Sequence, residues 1–383
     1  MQKDRSILYV NYSPYENSGH ILDYLNENFG RVFLFSIAFH PLGGKRKLNQ
    51  VIYFENGKIT KKIDLYYMPV HPSLVWILIP LRSVINALQI IKETLVINRH
   101  NGAPEVFFSV NSFAMFVGML LKKFGLVNKT VFWVWDYYPM NHPSLVVQLM
   151  RWMYWQFDKL ATYSDRVVYL NNRLAKVRKD TGLISKNKRY LVAPIGMGEI
   201  LPFKKKNLKK IKIGFIGVLK KSQGLEMLIE SAKDLSAHFK DLSFEIIGSG
   251  PDEKYLKKVA RGSSVKFNFY GLVSEKEFRR ILYNSTLGVA PYTPEDSNVS
   301  RYGDPGKVKR YLEFNLPSII TRVFEFSKEL EKSKAGVVIE YGKTDQLVKA
   351  IVKIIRNYKR FCENTAKLHK EYYYKDVYKV MFD

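Results

Sequence analysis

The expected fold is α/β with two domains, and three observations predict it. The chain has 383 residues, more than one ordinary core organises, and 46% of them are hydrophobic. In both halves, short apolar runs bounded by turn residues alternate with segments of helical apolar spacing. Between the halves lies a lysine-rich stretch, Lys204-Lys205-Lys206 with Lys209-Lys210, whose composition suits a solvated linker. This places a first domain over 1–203, a second over 204–365, and a C-terminal segment, 366–383, packing back on the first. Strands alternating with helices imply parallel sheets in both halves.

The first half opens with a strand over 5–12, a loop over 13–20 and a helix over 21–29. Ser18-Gly19, just before that helix, either lets a backbone approach a ligand closely or forms an ordinary strand-to-helix turn, with His20 as the polar group beside it. Residues 32–37, 51–54 and 63–68 read as strands. Pro72 and Pro80 break the start of the next segment, and from Leu81 the residues Val84, Ile85, Leu88, Ile91 and Leu95 fall at helical spacing. Upstream, 74–79 is apolar all round. It is either a packing segment or a surface that dips into a lipid monolayer, with Trp76 at the interface.

A strand at 106–110, a helix at 113–124 and a strand at 130–135 follow. The last ends in Asp136-Tyr137-Tyr138-Pro139, with His142 shortly after. A carboxylate at the end of a buried strand points into the crevice where open α/β sheets bind ligands, and desolvation there raises its pKa toward use as a general base. The same residue type also suits a helix cap or a turn. Residues 149–161 form an aromatic-rich helix, and 192–197 closes the half.

The second half restarts the alternation. Its strands are expected at 211–216, 244–247, 265–270, 287–290 and 318–321, and its helices at 225–239, 275–283 and 306–314. Three loops at strand ends carry the candidate chemistry. Lys220 and Lys221 stand beside a helix N-terminus, where they suit phosphate oxygens. Gly248 and Gly250 leave room for a base or a ribose. The loop over 291–305 carries Tyr302, Asp304 and then Lys307 around a Gly-Asp-Pro-Gly turn: amide donors, one fixed cation and one ring to stack.

The formal net charge of +26 points to nucleic acid, an anionic membrane face or a phosphorylated substrate, with a plain lysine-rich surface as the alternative. No recognition-helix pattern, zinc-finger spacing or RNP-type aromatic run supports nucleic acid, so none is expected as a partner. A single cysteine, Cys362, excludes an internal disulfide framework and a thiolate metal cluster. No His/Glu cluster at helical spacing appears; Glu295, Asp296 and Asp304 share one loop and could bind a divalent ion, but the cations of Lys220 and Lys307 make one unnecessary, so no metal is expected. Residues 1–6 are polar and charged, and 7–10 is too short for the core of a signal peptide, so none is expected. The longest apolar stretch, 74–81, is too short to span a bilayer.

The order and spacing of Phe215-Ile216-Gly217, Gln223-Gly224-Leu225, Ile246-Ile247-Gly248-Ser249-Gly250-Pro251, Phe269-Tyr270-Gly271, Val289-Ala290-Pro291-Tyr292, Pro305-Gly306-Lys307 and Leu316-Pro317-Ser318-Ile319-Ile320 resemble the family 4 type of retaining glycosyltransferases over roughly 211–354. The resemblance implies the GT-B fold, two Rossmann-like domains facing a cleft, with a nucleotide-diphosphate sugar mainly on the second domain and the acceptor on the first. It implies donor contacts at Gly217, Lys221, Gly248, Gly250, Tyr302, Asp304, Pro305, Gly306 and Val308, with Lys220 and Lys307 neutralising the leaving diphosphate. On the first domain, Asp136 at its strand end, or else His142 or His20, would position or deprotonate the acceptor hydroxyl, with Gly19, His20 and His142 toward the acceptor. No cofactor is required. The family's two loop glutamates fall on Tyr302 and Arg310, and its usual Arg and Lys on Val218 and Gln223, with Lys220 and Lys221 as substitutes.

The expected function is therefore sugar transfer to an acceptor hydroxyl on a lipid-linked or surface glycan, with the protein in the cytoplasm and peripheral on the inner face of the membrane. A binding subunit without catalysis and a nucleotide-sugar epimerase are the alternatives.

Overall fold

The computed structural model describes residues 4–12, 15–38, 49–69, 71, 74–185, 188–295 and 298–383. The chain divides into two compact units: Met1–Ile195 with Tyr374–Asp383, and Gly196–Tyr373. The lysine run at 204–206 belongs to the second unit, where Lys206 donates to the Tyr283 carbonyl.

Unit 1 holds strands β1 (Ser6–Asn11), β2 (Arg31–Ser36), β3 (Asn49–Glu55), β4 (Lys58–Leu65), β5 (Val106–Ser109), β6 (Lys129–Val134), β7 (Arg166–Tyr169) and β8 (Leu191–Val192) in one sheet of order β4-β3-β2-β1-β5-β6-β7-β8. From β2 through β8 every neighbouring pair is parallel, as the crossover helices require. The expectation of a parallel sheet fails at the far edge, where β3 and β4 run antiparallel. The reason is local. Asn56 and Gly57 form a two-residue connection with φ of 49° and 76°, the left-handed pair that folds a tight hairpin. Strand β4 accordingly starts at Lys58, earlier than the run at 63–68 suggests. It is a lysine-rich edge strand, a composition that discourages pairing with another chain.

The helix Val75–Asn101 also starts earlier than expected, and Pro80 lies inside it rather than before it. Proline costs a helix one hydrogen bond and a clash four residues upstream. Here the helix continues for twenty-one residues beyond it, Leu81 to Asn101, with Gly102 as its cap, so the loss stays near one end. The final segment, Tyr374–Asp383, completes unit 1. Phe382 lies against Tyr24, Phe29 and Phe108, and Tyr378 is fully buried beside Trp133.

Unit 2 holds β9 (Ile211–Ile216), β10 (Leu242–Ile247), β11 (Lys266–Gly271), β12 (Leu287–Ala290), β13 (Ser318–Thr321) and β14 (Gly336–Ile339), in the order β11-β10-β9-β12-β13-β14. Every pair is parallel. Counted within the unit the order is 3-2-1-4-5-6, the doubly wound arrangement whose switch point lies between the first and fourth strands. Two apolar clusters cover the two faces of the sheet, one around Phe215, Phe244 and Ile351, the other around Ile216, Tyr311 and Leu312. The expected helix at 225–239 is two shorter ones, Leu225–Glu230 and Ala232–His238, meeting at the fully buried Ser231.

Candidate functional site

At the switch point of unit 2, β9 and β12 pair only through Ile213 with Leu287 and Gly214 with Gly288. Beyond that the strands part, and one side chain bridges them. Tyr311, from the helix Gly306–Glu313, accepts from the Ile216 N–H at 3.0 Å and donates to the Val289 carbonyl at 3.0 Å. Its ring lies over Gly288, where a β-carbon would come within 2.4 Å of it. The residue is fully buried, and this burial pushes its phenol pKa upward. A crevice between strand ends is where sheets of this topology bind ligands, and the loops after β9 and β12 leave from its lips.

The loop after β9 is fixed on the loop after β10. Gly217 donates to the Ile247 carbonyl at 3.0 Å and Leu219 to that of Ser249 at 3.0 Å. Gly248 has φ of +130°, and a β-carbon on it would sit 1.9 Å from the Gly217 carbonyl oxygen. The space this glycine leaves is filled by the neighbouring loop, not kept open for a base or ribose. Gly250 packs in the same way against the Leu219 backbone. Asp252 holds the loop from below, its carboxylate accepting from the Lys221 N–H at 2.7 Å, while the Lys221 residue is exposed.

Lys307 reaches into this crevice. Its ammonium donates to the Gln223 Oε1 at 2.5 Å and stands 4.3 Å from the ring centre of Phe215 and 4.4 Å from that of Tyr292. A β-carbon at Gly217 would lie 2.8 Å from it. The residue keeps some solvent contact, but its charged end is enclosed. Burial first, and the like charge of Lys220 second, hold its pKa well below the ordinary lysine value. Lys220 itself is exposed, so the two ammonium groups share one electrostatic neighbourhood, one inside and one at the rim. Aromatic faces and a neutral amide satisfy an ammonium only in part. A phosphate would supply the missing counter-charge. The helix that carries Lys307 has no side-chain cap at its N-terminus, which favours negative charge there as well.

The other residues of the Gly-Asp-Pro-Gly turn do structural work. Asp304 forms a buried ion pair with Lys309 at 2.6 Å, and the Lys309 ammonium stands 4.4 Å from the Tyr372 ring centre. Pro305 occupies the N-cap position, and its carbonyl accepts from Val308 and Lys309. Gly306 opens the helix, and Val308 is fully buried in the core beside Ile216. Tyr302 ends a short turn, with Arg301 5.8 Å from its ring centre. Arg310, at the position of the family's second glutamate, is matched by Glu313 and by Glu275 at 3.1 Å. Asp296 lies outside the described residues.

In unit 1, Asp136 follows the end of β6. The residue is exposed, but the surroundings crowd its carboxyl. That desolvation raises its pKa, against the Tyr138 hydrogen bond and the Arg178 charge, with Asp158 pushing the same way as burial. Its exposure limits the size of the shift. Behind it lies a buried pair, Arg178 to Asp158 at 2.9 Å, and the same guanidinium reaches the Asp136 carbonyl at 3.4 Å. Gly19 and His20 both take φ of 64° just before the helix Ile21–Asn28. The Gly19 carbonyl accepts from the Tyr378 hydroxyl at 2.7 Å, and the His20 Nδ1 lies 2.8 Å from Asp23. His142 Nδ1 accepts from the Ser144 N–H at 3.1 Å in the turn before the helix Leu145–Ala161.

The structure thus brings Lys307, Lys220 and Gly217 together, and groups Asp136 with Tyr138, Arg178 and Asp158. The sequence reading misses Gln223 as the partner of Lys307, and Phe215 and Tyr292 as its walls. Tyr292 stands two residues beyond the end of the buried run 287–290, and that place is a usable signal for it. Nothing local marks a contact between residues 84 positions apart such as Gln223 and Lys307. Among the described residues no group of His, Cys, Asp and Glu is arranged to hold a metal ion.

Comparison with known proteins finds likenesses over parts of the chain. Residues 210–357 match the family described as glycosyl transferases group 1. The chain is 26% identical over 160 residues to an alpha-D-kanosaminyltransferase of Streptomyces kanamyceticus, covering 40% of this chain and 39% of that one. It is 24% identical over 215 residues to the UDP-N-acetylglucosamine--N-acetylmuramyl-(pentapeptide) pyrophosphoryl-undecaprenol N-acetylglucosamine transferase of Aquifex aeolicus (strain VF5), covering 52% of this chain and 60% of that one. The chain therefore spans less than two thirds of the length of either relative. In fold it is similar to the sucrose-phosphate synthase of Thermosynechococcus elongatus, with a TM-score of 0.65, 13% identity, and coverage of 97% of this chain and 96% of that one.

Proposed function

We propose that the chain moves a sugar from a nucleotide-diphosphate sugar to an acceptor hydroxyl, since residues 210–357 match the family described as glycosyl transferases group 1. The observation that carries this reading is the enclosed Lys307 ammonium at the switch point of unit 2, with Gln223 and two aromatic rings around it and Lys220 in electrostatic reach. As the bond between the sugar's anomeric carbon and the diphosphate oxygen breaks, negative charge grows on the leaving group. Lys307, Lys220 and the amides at the start of Gly306–Glu313 stabilise that charge where it develops. Two ammonium groups do the work that a divalent cation does elsewhere, so this reading needs no metal or other cofactor.

Asp136 takes the proton of the acceptor hydroxyl as its oxygen bonds to the anomeric carbon. Desolvation raises its pKa above that of a free carboxylate, which makes it the stronger base, and Arg178 with Asp158 fixes the backbone it stands on. A retaining outcome, taken from the likeness over 210–357, requires the acceptor oxygen to enter on the same face of the sugar that the diphosphate leaves. The acceptor is taken to be a lipid-linked or surface glycan, and the protein is taken to work in the cytoplasm against the inner face of the membrane. Support comes from the net charge of +26, from the lipid-linked acceptor in the name of the Aquifex relative, and from the finding that no helix among the described residues is long and apolar enough to cross a membrane.

A thermal-shift series with uridine, guanosine and adenosine diphosphates tests the donor site. One of them raises the melting temperature of the wild type and not of Lys307→Ala. If none does, the donor reading is wrong. Asp136→Asn keeps that nucleotide shift and loses about 100-fold or more in transfer rate. Nucleotide binding without any transfer by the wild type would instead mark a binding subunit. Sedimentation with vesicles of phosphatidylcholine and phosphatidylglycerol at low salt, reversed as salt rises, tests the membrane reading.

A further inference from the structure

One face of the helix Val75–Asn101 lies in the core of unit 1, where Asn86, Ile90 and Ile97 are buried. The opposite face carries Ile77, Leu81, Val84, Leu88 and Leu95, and Leu74 just ahead of the helix, all between 42% and 62% exposed. Leucine recurs every seventh residue, at 74, 81, 88 and 95. Ile77, Val84 and the half-buried Ile91 fall between, so the apolar positions alternate in steps of three and four. A surface stripe that holds this period for three heptads is the seam of a helix that pairs with another helix.

The period argues for a helical partner over a flat one. A straight α-helix drifts about 20° per heptad against a seven-residue repeat, so the stripe stays in register only along a partner that winds with it. Charge argues the same way. A surface that meets anionic lipid lines the borders of its apolar face with Lys and Arg. Here the borders are Leu78 and Ile85 on one side and Pro80 and Ala87 on the other, with Lys92 the first exposed charge. Arg82 is turned inward, donating to the Ala38 carbonyl at 2.9 Å. A chain with a net charge of +26 repels copies of itself, yet this stripe brings no like charges together along its first two heptads. Its six side chains, each about half exposed, present on the order of 500 Å² of apolar surface, at the upper end for a monomer's largest patch. The flanking Leu78, Ile85 and Ile91 bring it toward the roughly 800 Å² per partner of a stable pair.

We propose that this stripe packs against the same stripe of a second copy, across a two-fold axis. The inference does not rest on the glycosyl-transfer reading. It assigns the stripe to self-association, while lipid attraction in that reading rests on net charge.

Size-exclusion chromatography with light scattering on the full chain, over a wide concentration range, tests it. The wild type has the mass of a dimer at high concentration. Leu81→Lys combined with Leu88→Lys buries charges in the seam and weakens pairing by at least about a hundredfold, with the melting temperature unchanged. Val84 lies mid-stripe, where it meets its own copy in parallel or antiparallel pairing, so Val84→Cys oxidises to an interchain disulfide, the native Cys362 being buried. A wild type that is monomeric at every concentration and a Val84→Cys that does not cross-link overturn the proposal. So does a dimer that survives the double substitution. A monomer whose sedimentation with phosphatidylglycerol-containing vesicles is lost in the double variant also overturns it, and makes the stripe a lipid-facing surface.

Discussion

Replacing Tyr311 with Phe removes one oxygen atom from the point where β9 and β12 part. The ring still fills the space over Gly288, so the change isolates the hydroxyl. Two buried backbone groups lose their partner: the Ile216 N–H, which donates to it, and the Val289 carbonyl, which accepts from it. An unmet buried donor or acceptor costs about 1–3 kcal/mol. The amide has no second way to be satisfied, whereas the carbonyl keeps its other lone pair. The sum is about 2–4 kcal/mol. For a domain of this size that lowers the melting temperature by about 5–15 °C. Differential scanning calorimetry reads it directly, and the loss belongs to the transition of unit 2 if the units melt separately. Because Ile216 precedes Gly217, nucleotide binding measured below the transition weakens as well. A shift under about 2 °C would refute the bridge as a major tie between the strands.

Two further substitutions test the charges around that helix. Asp304→Ala leaves the Lys309 ammonium buried without its carboxylate, which destabilises unit 2 by about 3–5 kcal/mol, as chemical denaturation would show. Asp304→Ala with Lys309→Met recovers most of it. Lys307→Met acts in the opposite direction on the ligand-free protein. Burial and Lys220 lower the folded-state pKa of Lys307, so above that value the unfolded chain binds the extra proton. The cost of Lys307 to stability is complete below its folded-state pKa and is relieved as pH climbs toward the ordinary lysine value. Lys307→Met therefore melts about 2–5 °C higher near neutral pH, on the order of 1 kcal/mol, and the gap to the wild type closes in alkaline buffer. A gap that widens with rising pH contradicts the enclosed ammonium. The variant also loses the nucleotide-induced shift.

The alternation of strands and helices is legible because both periods are local: five of the six strands of unit 2 fall at the expected places, while β14, a four-residue run after the last expected strand, is missed. The hairpin of β3 and β4 carries a local mark, the Asn56-Gly57 pair, which the broad expectation of parallel sheets overrides. Pro80 misleads in the other direction, since a proline rule weighs one bond against a helix stabilised by its packed face. Lys307 and Lys220 are legible as charges beside turns. Asp304 and Tyr302 look the same in sequence, but Asp304 is committed to Lys309, five residues on, through the turn between them. Tyr311 reads only as an apolar helix position. That its hydroxyl replaces a missing rung of the sheet depends on where β9 and β12 stop pairing, which no local pattern states.

The last ten residues of unit 1 have a consequence for synthesis. Unit 2 is one unbroken stretch, so it is complete while Tyr374–Asp383 is still to be made. Until Tyr378, Met381 and Phe382 emerge, the nascent protein lacks the side chains that pack on Phe108 and Trp133 in the folded unit. The earlier-translated unit is thus the later one to close.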